Sequence, residues 1–222
     1  MRSINSLIAA ILFISFMNSG FSQNINWRSF KETQRHAVNI NAGLDYSLSF
    51  GAGYGYKLKT ELPVMLNLEY SFPSGKNLFD DFKTKIGGQA EVAKFGNFSA
   101  TLKVHGIFRR FQNDLSRFAG FGSEISGTIG YYRPKWYVAG DLAFDKAIVT
   151  HIRHSDFAEE NYPDIQGGWY IPTGGNFLYG LQTGFSVKKC DLYLKAGKIV
   201  TQDFKTTPLL PFYFNLGLNR RF

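Results

Sequence analysis

Apolar and polar residues alternate with a period of two through most of the chain, which puts successive side chains on opposite faces of a strand. The final stretch shows it best. Phe212, Phe214, Leu216, Leu218 and Phe222 share one parity; Tyr213, Asn215, Gly217, Asn219 and Arg221 share the other. A longer run covers 38–58. Val38, Ile40, Ala42, Leu44, Leu48, Phe50, Tyr54 and Leu58 fall on one face, and Asn39, Asn41, Gly43, Asp45, Ser47, Ser49, Gly51 and Gly53 on the other. That run is long for one strand. It is expected either to extend beyond the layer it crosses or to break near 45–49 into two. Further strands are predicted at 62–72, 86–93, 98–108, 121–131, 136–148, 177–187 and 190–200. A last strand must pair with something or leave an open edge, and pairing with the first strand of a barrel removes the edge.

The run 7–17 is apolar but short of the roughly 20 residues a spanning helix needs, and nothing after it is longer. Without a helix, only a closed sheet satisfies every backbone group inside a bilayer. The predicted fold is therefore all-β, a single-chain antiparallel transmembrane β-barrel. Nine strands are clear. Single-chain barrels carry an even number, so ten are predicted, with eight or twelve as alternatives; the extra strand comes from 24–30 or from division of 36–58. The competing soluble reading, a lipocalin-like barrel, inverts the faces. The glycine-rich, charge-poor polar face argues against that.

Connections are predicted to alternate. Short ones fall at 59–61, 95–97, 133–135 and 188–189, and longer ones at 73–83, 112–119, 151–176 and 201–211. Short turns on one side and long loops on the other is the layout of barrels that cross an outer membrane. Arg2, the apolar run 7–17 and the small residues Gly20 and Ser22 read as an export signal cleaved before Gln23. That leaves one domain, 23–222. An aromatic share of 17 % fits two interfacial girdles.

Net charge of +8 raises nucleic acid as a partner. The export signal and the lack of any nucleic-acid motif exclude it, and anionic lipid headgroups are the nearer partner. Cys190 is the only cysteine, so no intrachain disulfide holds the fold.

The export signal, the alternating segments of about ten residues and the terminal Phe222 together resemble the small outer-membrane β-barrel proteins of Gram-negative bacteria. The resemblance covers 23–222 and is architectural, so no site is carried over. It implies location in the cell outer membrane among its lipids and lipopolysaccharide. It also implies that the barrel-assembly machinery reads the last strand, through Phe214, Leu216, Leu218 and Phe222.

Candidate chemistry lies on the polar face. Asp45, Glu61, Glu69, Glu91, Glu124, Asp141 and Asp145 are expected inward, with Lys57, Lys85, Lys103, His105, Arg109, Lys195 and Arg221 against them. A selective pore usually shows a ring of one sign. Nearly balanced charges predict an ion-pair network filling a narrow lumen, because buried charges must be paired. The longest loop holds His151, His154, Asp156, Glu159 and Glu160, residue types that bind ions, at a spacing that matches no metal motif. No metal and no cofactor is predicted. His154, Ser155 and Asp156 are triad residue types, but as sequence neighbours they lack triad geometry, and neither a G-x-S-x-G nor an H-E-x-x-H motif occurs. The reading from sequence is a narrow or plugged barrel with a structural or surface-binding role toward an unnamed ligand. A narrow pore for ions or small solutes is the alternative, and an enzyme with its site at the loop mouth is the third.

Overall fold

The computed structural model describes residues 25–44, 47–74, 80–162, 164–208 and 210–222. The predicted leader, 1–22, lies outside them. The strands are β1 (His36–Leu44), β2 (Leu48–Lys57), β3 (Val64–Pro73), β4 (Phe82–Phe95), β5 (Phe98–Gln112), β6 (Ser116–Tyr132), β7 (Trp136–His154), β8 (Gly168–Tyr170), β9 (Gly175–Val187), β10 (Cys190–Thr201) and β11 (Phe212–Arg221). Ten of them close a ring of antiparallel neighbours, in the order β1 to β7, then β9, β10, β11 and back to β1. The closing pair runs from Ala37 opposite Arg221 to Leu44 opposite Phe214. The short strand β8 pairs only with the top of β7, above the end of β9.

The run 36–58 divides, as the second of its two readings expects. Leu44 faces Leu48. The two are four positions apart, an even number, so parity survives and both strands keep even positions on the same side.

Alternation along each strand decides which way side chains point. Ile129 is 70 % exposed, while Thr128 beside it is 4 % exposed. Leu66, Leu68, Ile86, Val104, Ile125, Leu142, Leu181 and Leu216 are likewise exposed on the outside. A continuous apolar outer surface of this kind costs too much in water and is matched to hydrocarbon. On β7 the outward positions stay uncharged from Trp136 until Lys146. Those ten steps cover ~25 Å of barrel axis at about 3.3 Å per residue and a tilt of about 40°. Aromatic pairs ring the loop side of this belt: Phe50–Phe72, Tyr70–Phe82, Phe82–Phe108 and Phe108–Phe121.

Two boundaries differ from the sequence reading. Residues 112–119 form no long loop: β5 and β6 continue to a tight turn at 113–115. Residues 151–154 belong to β7, and the loop after it contains a helix, α1 (Asp156–Asn161), capped by Ser155. In both places the outward residues beyond the belt are polar, which hides strand pairing that the backbone nevertheless keeps. The segment before β1 follows one of its two alternatives, since the extra strand comes from the division of 36–58. It is an ordered lead-in rather than a strand, with a 3-10 turn at Trp27–Ser29.

Candidate functional site

The lumen is packed with charged and polar side chains arranged in layers. Nearest the loops, Lys83 lies 3.2 Å from Asp145, and Arg109 also binds that carboxylate. One layer down, Lys85 Nζ is 2.6 Å from Glu124, with His105 Nδ1 3.9 Å from the same carboxylate. Lys195 pairs with Asp141 at 2.8 Å, and the Tyr213 hydroxyl donates to Asp141 at 3.2 Å. Lys103 sits in the field of Glu69, Asp141 and Glu124. Toward the short turns, Arg221 binds Asp191 at 3.0 Å.

Among the described residues, six buried cations (Lys83, Lys85, Lys103, Arg109, Lys195, Arg221) face six buried carboxylates (Glu69, Glu91, Glu124, Asp141, Asp145, Asp191). Moving any one of them out of water costs several kcal/mol unless a partner compensates. Balance between the two sets is therefore a condition for filling the lumen this way.

Tyrosine rings span what the ion pairs leave. Tyr132 and Tyr137 stack with centroids 5.1 Å apart. The Tyr193 ring lies over Gly217, where a Cβ would come within 2.2 Å of it, and Tyr137 lies over Gly184 in the same way. Those glycines belong to the lumen face because the rings occupy the space a side chain would need.

The turn-side end is stopped by the lead-in. Trp27 Nε1 donates to Thr101 Oγ1 of β5 at 3.0 Å. The Asn26 amide donates to the carbonyl of Arg133 and to Ser186. Arg28 reaches the carbonyl of Gly96, and Arg221 reaches that of Ser29. Ile25, Trp27, Ala37 and Met65 form a small apolar cluster beneath the ion pairs, with Phe30 against it. At the opposite end the inward residues Asn41, Ser49, Gly51 and Ser71 are only half-buried.

Glu69, Lys103, His105, Arg109, Glu124, Asp141 and Lys195 all lie in this lumen, as do Lys85, Glu91, Asp145 and Arg221. Asp45 lies outside the described residues. Glu61 is a correction: it is exposed in the turn 58–63, because Pro63 lacks an N–H and β3 begins only at Val64. Lys57 ends β2 half-buried, its ammonium 5.7 Å from the Phe30 ring. Sequence reasoning passed over Lys83 and Asp191, although each shares the parity of a recognised inward neighbour, Lys85 and Lys195. Phe214, Leu216 and Leu218 lie on the outer face of β11, with Phe222 just beyond it.

The five candidate ion ligands of the longest loop are not brought together. His151 and His154 are three apart on a strand and so point to opposite faces. His151 packs against Trp169 with the ring planes tilted by 59°, and His154 Nδ1 meets Ser116 Oγ at 2.8 Å. Asp156, Glu159 and Glu160 sit exposed on α1. Among the described residues no group of three or more His, Cys, Asp or Glu side chains is placed to hold a metal.

A closed antiparallel barrel with an apolar outer belt and a polar packed interior has the fold of an outer-membrane β-barrel protein. One solved structure agrees on that fold, and two more align less closely. An outer membrane channel from Pseudomonas putida F1 aligns with a TM-score of 0.53 at 9 % identity, over 90 % of this chain and 100 % of that one. The N-terminal β-barrel domain of Pseudomonas aeruginosa OprF aligns at 0.42 with 11 % identity, over 85 % and 99 %. KdgM porin aligns at 0.44 with 9 % identity, over 84 % and 99 %. No family model and no curated protein matches the chain.

Proposed function

We propose that this chain is an integral outer-membrane protein whose barrel is closed to ions and solutes, and which acts as a structural or binding element through its loop-side surface. The observation that carries this reading is the balanced set of buried lumen charges. Side chains at every level from Lys83 down to Arg221 are inaccessible to water, and an open channel needs a hydrated path. The lead-in around Trp27 adds a second barrier at the turn side.

A narrow pore is the second reading. The similarity to an outer membrane channel and the half-buried, polar inner face at Asn41, Ser49, Gly51 and Ser71 favour it. Planar-bilayer conductance of the refolded chain, with Lys103→Glu beside it, separates the two. The closed reading expects a folded barrel without steady channels. Reproducible channels whose ion selectivity shifts in Lys103→Glu would overturn it in favour of the pore.

A further inference from the structure

Barrel strands are unequal in length. β5, β6 and β7 run 15, 17 and 19 residues, against 9 for β1 and 10 for β2. The three long strands, with β8 beside them, rise above the membrane belt as a twisted sheet on one side of the mouth. A bulge marks the transition: Phe121 pairs with Val149 and Gly122 with Ala147, so Ile148 has no partner residue. Beyond it the outward face of β7 changes from even to odd positions, which re-aims the side chains above.

The outer face of this sheet turns basic immediately above the aromatic row. Phe108 packs on Phe121, and Arg110 lies two residues further along β5, ~5 Å higher on the barrel axis. Arg110 is opposite Ala119, Ala119 is opposite His151, and His151 is opposite Trp169. In the next row Arg117 is directly opposite Arg153. The small Ala119 lies between Arg110 and His151 in the first of these rows. Asp80, 4.0 Å from Arg110, and Asp81, which accepts from the Gln112 N–H and attracts Arg110, are the carboxylates at the edge. Neither Arg117 nor Arg153 makes an ion pair with a carboxylate among the described residues, and both are exposed.

Like charges placed directly opposite on one face of a sheet destabilise it. An anion between them removes that cost, and guanidinium forks match phosphate oxygens two at a time. The height selects the source of the anion. These side chains begin where the apolar belt ends, at the level of headgroups, with Trp169 exposed beside them as interfacial tryptophans are. We propose that the outer face of β5–β8 docks the phosphate groups of an outer-leaflet glycolipid, through Arg110, Arg117, His151 and Arg153. This rests on the reading of the chain as an outer-membrane barrel with its longer loops outward.

The test titrates the full chain in detergent micelles with bisphosphorylated lipid A, with dephosphorylated lipid A and with inorganic phosphate, followed by native mass spectrometry. The wild type is expected to bind the bisphosphorylated lipid at least about tenfold more tightly than the dephosphorylated one. Arg117→Gln with Arg153→Gln should remove roughly that factor, while Lys188→Gln with Arg220→Gln at the turn-side rim should leave it unchanged. If the first pair fails to give the heat-modifiable gel mobility of a folded barrel, Arg153→Gln alone serves, with an expected loss of about threefold. Equal binding of the two lipids, or an unchanged preference in the Arg117 and Arg153 variants, overturns the site. Full displacement by equimolar inorganic phosphate overturns the lipid as its source. Conductance is an independent readout: a conducting barrel that keeps the lipid preference sinks the closed-lumen reading alone, and a silent barrel without the preference sinks this one alone.

Discussion

Lys85 and Glu124 offer the sharpest test of a packed lumen. Their charged atoms are 2.6 Å apart and both side chains are buried. At an effective dielectric constant of about 20, Coulomb's law puts their attraction near 6 kcal/mol, an upper figure because desolvation opposes it. Replacing Glu124 with Gln removes that attraction and strands the Lys85 ammonium among other cations. Losing one partner of a buried pair ordinarily costs about 3–5 kcal/mol, and Lys85→Met should cost a similar amount by stranding Glu124. The double variant Lys85→Met/Glu124→Met replaces the pair by apolar groups of similar length. It should sit within about 2 kcal/mol of wild type, so the two changes are strongly non-additive. Urea unfolding in lipid vesicles, followed by tryptophan fluorescence and gel mobility, supplies the free energies. Two results would refute the reasoning. A double variant as unstable as the sum of the singles means the charges do not act as a pair. Single variants that each cost under about 1 kcal/mol mean that water reaches and screens them.

Three further outcomes are expected. Leu66→Arg and Leu216→Arg place a charge on the outer belt and should each cost about 2–4 kcal/mol at the midplane and slow insertion into vesicles; normal yields of folded protein for both would contradict the lipid-facing assignment. Gly217→Val brings a side chain into the space of the Tyr193 ring and should destabilise by about 1–3 kcal/mol, the cost of overpacking; adding Tyr193→Leu should recover most of it, and no recovery would detach the glycine from the ring. In the loop after β10, hydrogen bonds from the Thr201 hydroxyl and from the Lys205 and Thr206 amides hold the Asp203 carboxyl well below the usual carboxylate range. A depressed folded-state value means the stabilisation is present above the ordinary carboxylate range and fades as pH falls through it to the folded value. Amide exchange of Lys205 and Thr206, corrected for its intrinsic pH dependence, should lose protection in the wild type below about pH 4, and wild-type protection at neutral pH in Asp203→Asn would show that the carboxylate does not order the loop.

The barrel was legible wherever strands meet lipid, because there an outward polar residue is costly and the period of two stays clean. β11 is the plainest case, from Phe212 to Arg221. Legibility failed above the belt. Arg110, Gln112, Arg117 and Arg153 face water, so nothing in their chemistry distinguishes a strand from a loop, and the tall sheet was read as connections. The same blindness made His151 and His154 look like loop neighbours, although strand geometry sends them apart. Lumen charges were mostly recognised by parity. Lys83 was missed because it was taken as the end of a loop, and Asp191 although Tyr193 and Lys195 share its parity. The stopper at 25–35 has no period at all. Its long-range side-chain hydrogen bonds reach partners 68 to 192 residues away, and only the closed ring brings them all to one place.

That last point sets an order of events. The segment around Trp27 precedes every barrel strand in the chain, yet its partners sit on β5, at the turn after β6, on β9 and on Arg221 of β11. A receptor assembled from the whole circumference exists only after β11 has zipped to β1. The piece of the domain closest to the start must therefore wait, unbound, until the finish. Contacts of such long sequence separation are rewarded only once the loops between them are closed. Full docking of the lead-in thus reports completion: Trp27 meets Ala37, Met65 and Thr101 of β1, β3 and β5, whereas the bonds from Asn26 to Ser186 and from Arg221 to the Ser29 carbonyl form only when the ring shuts.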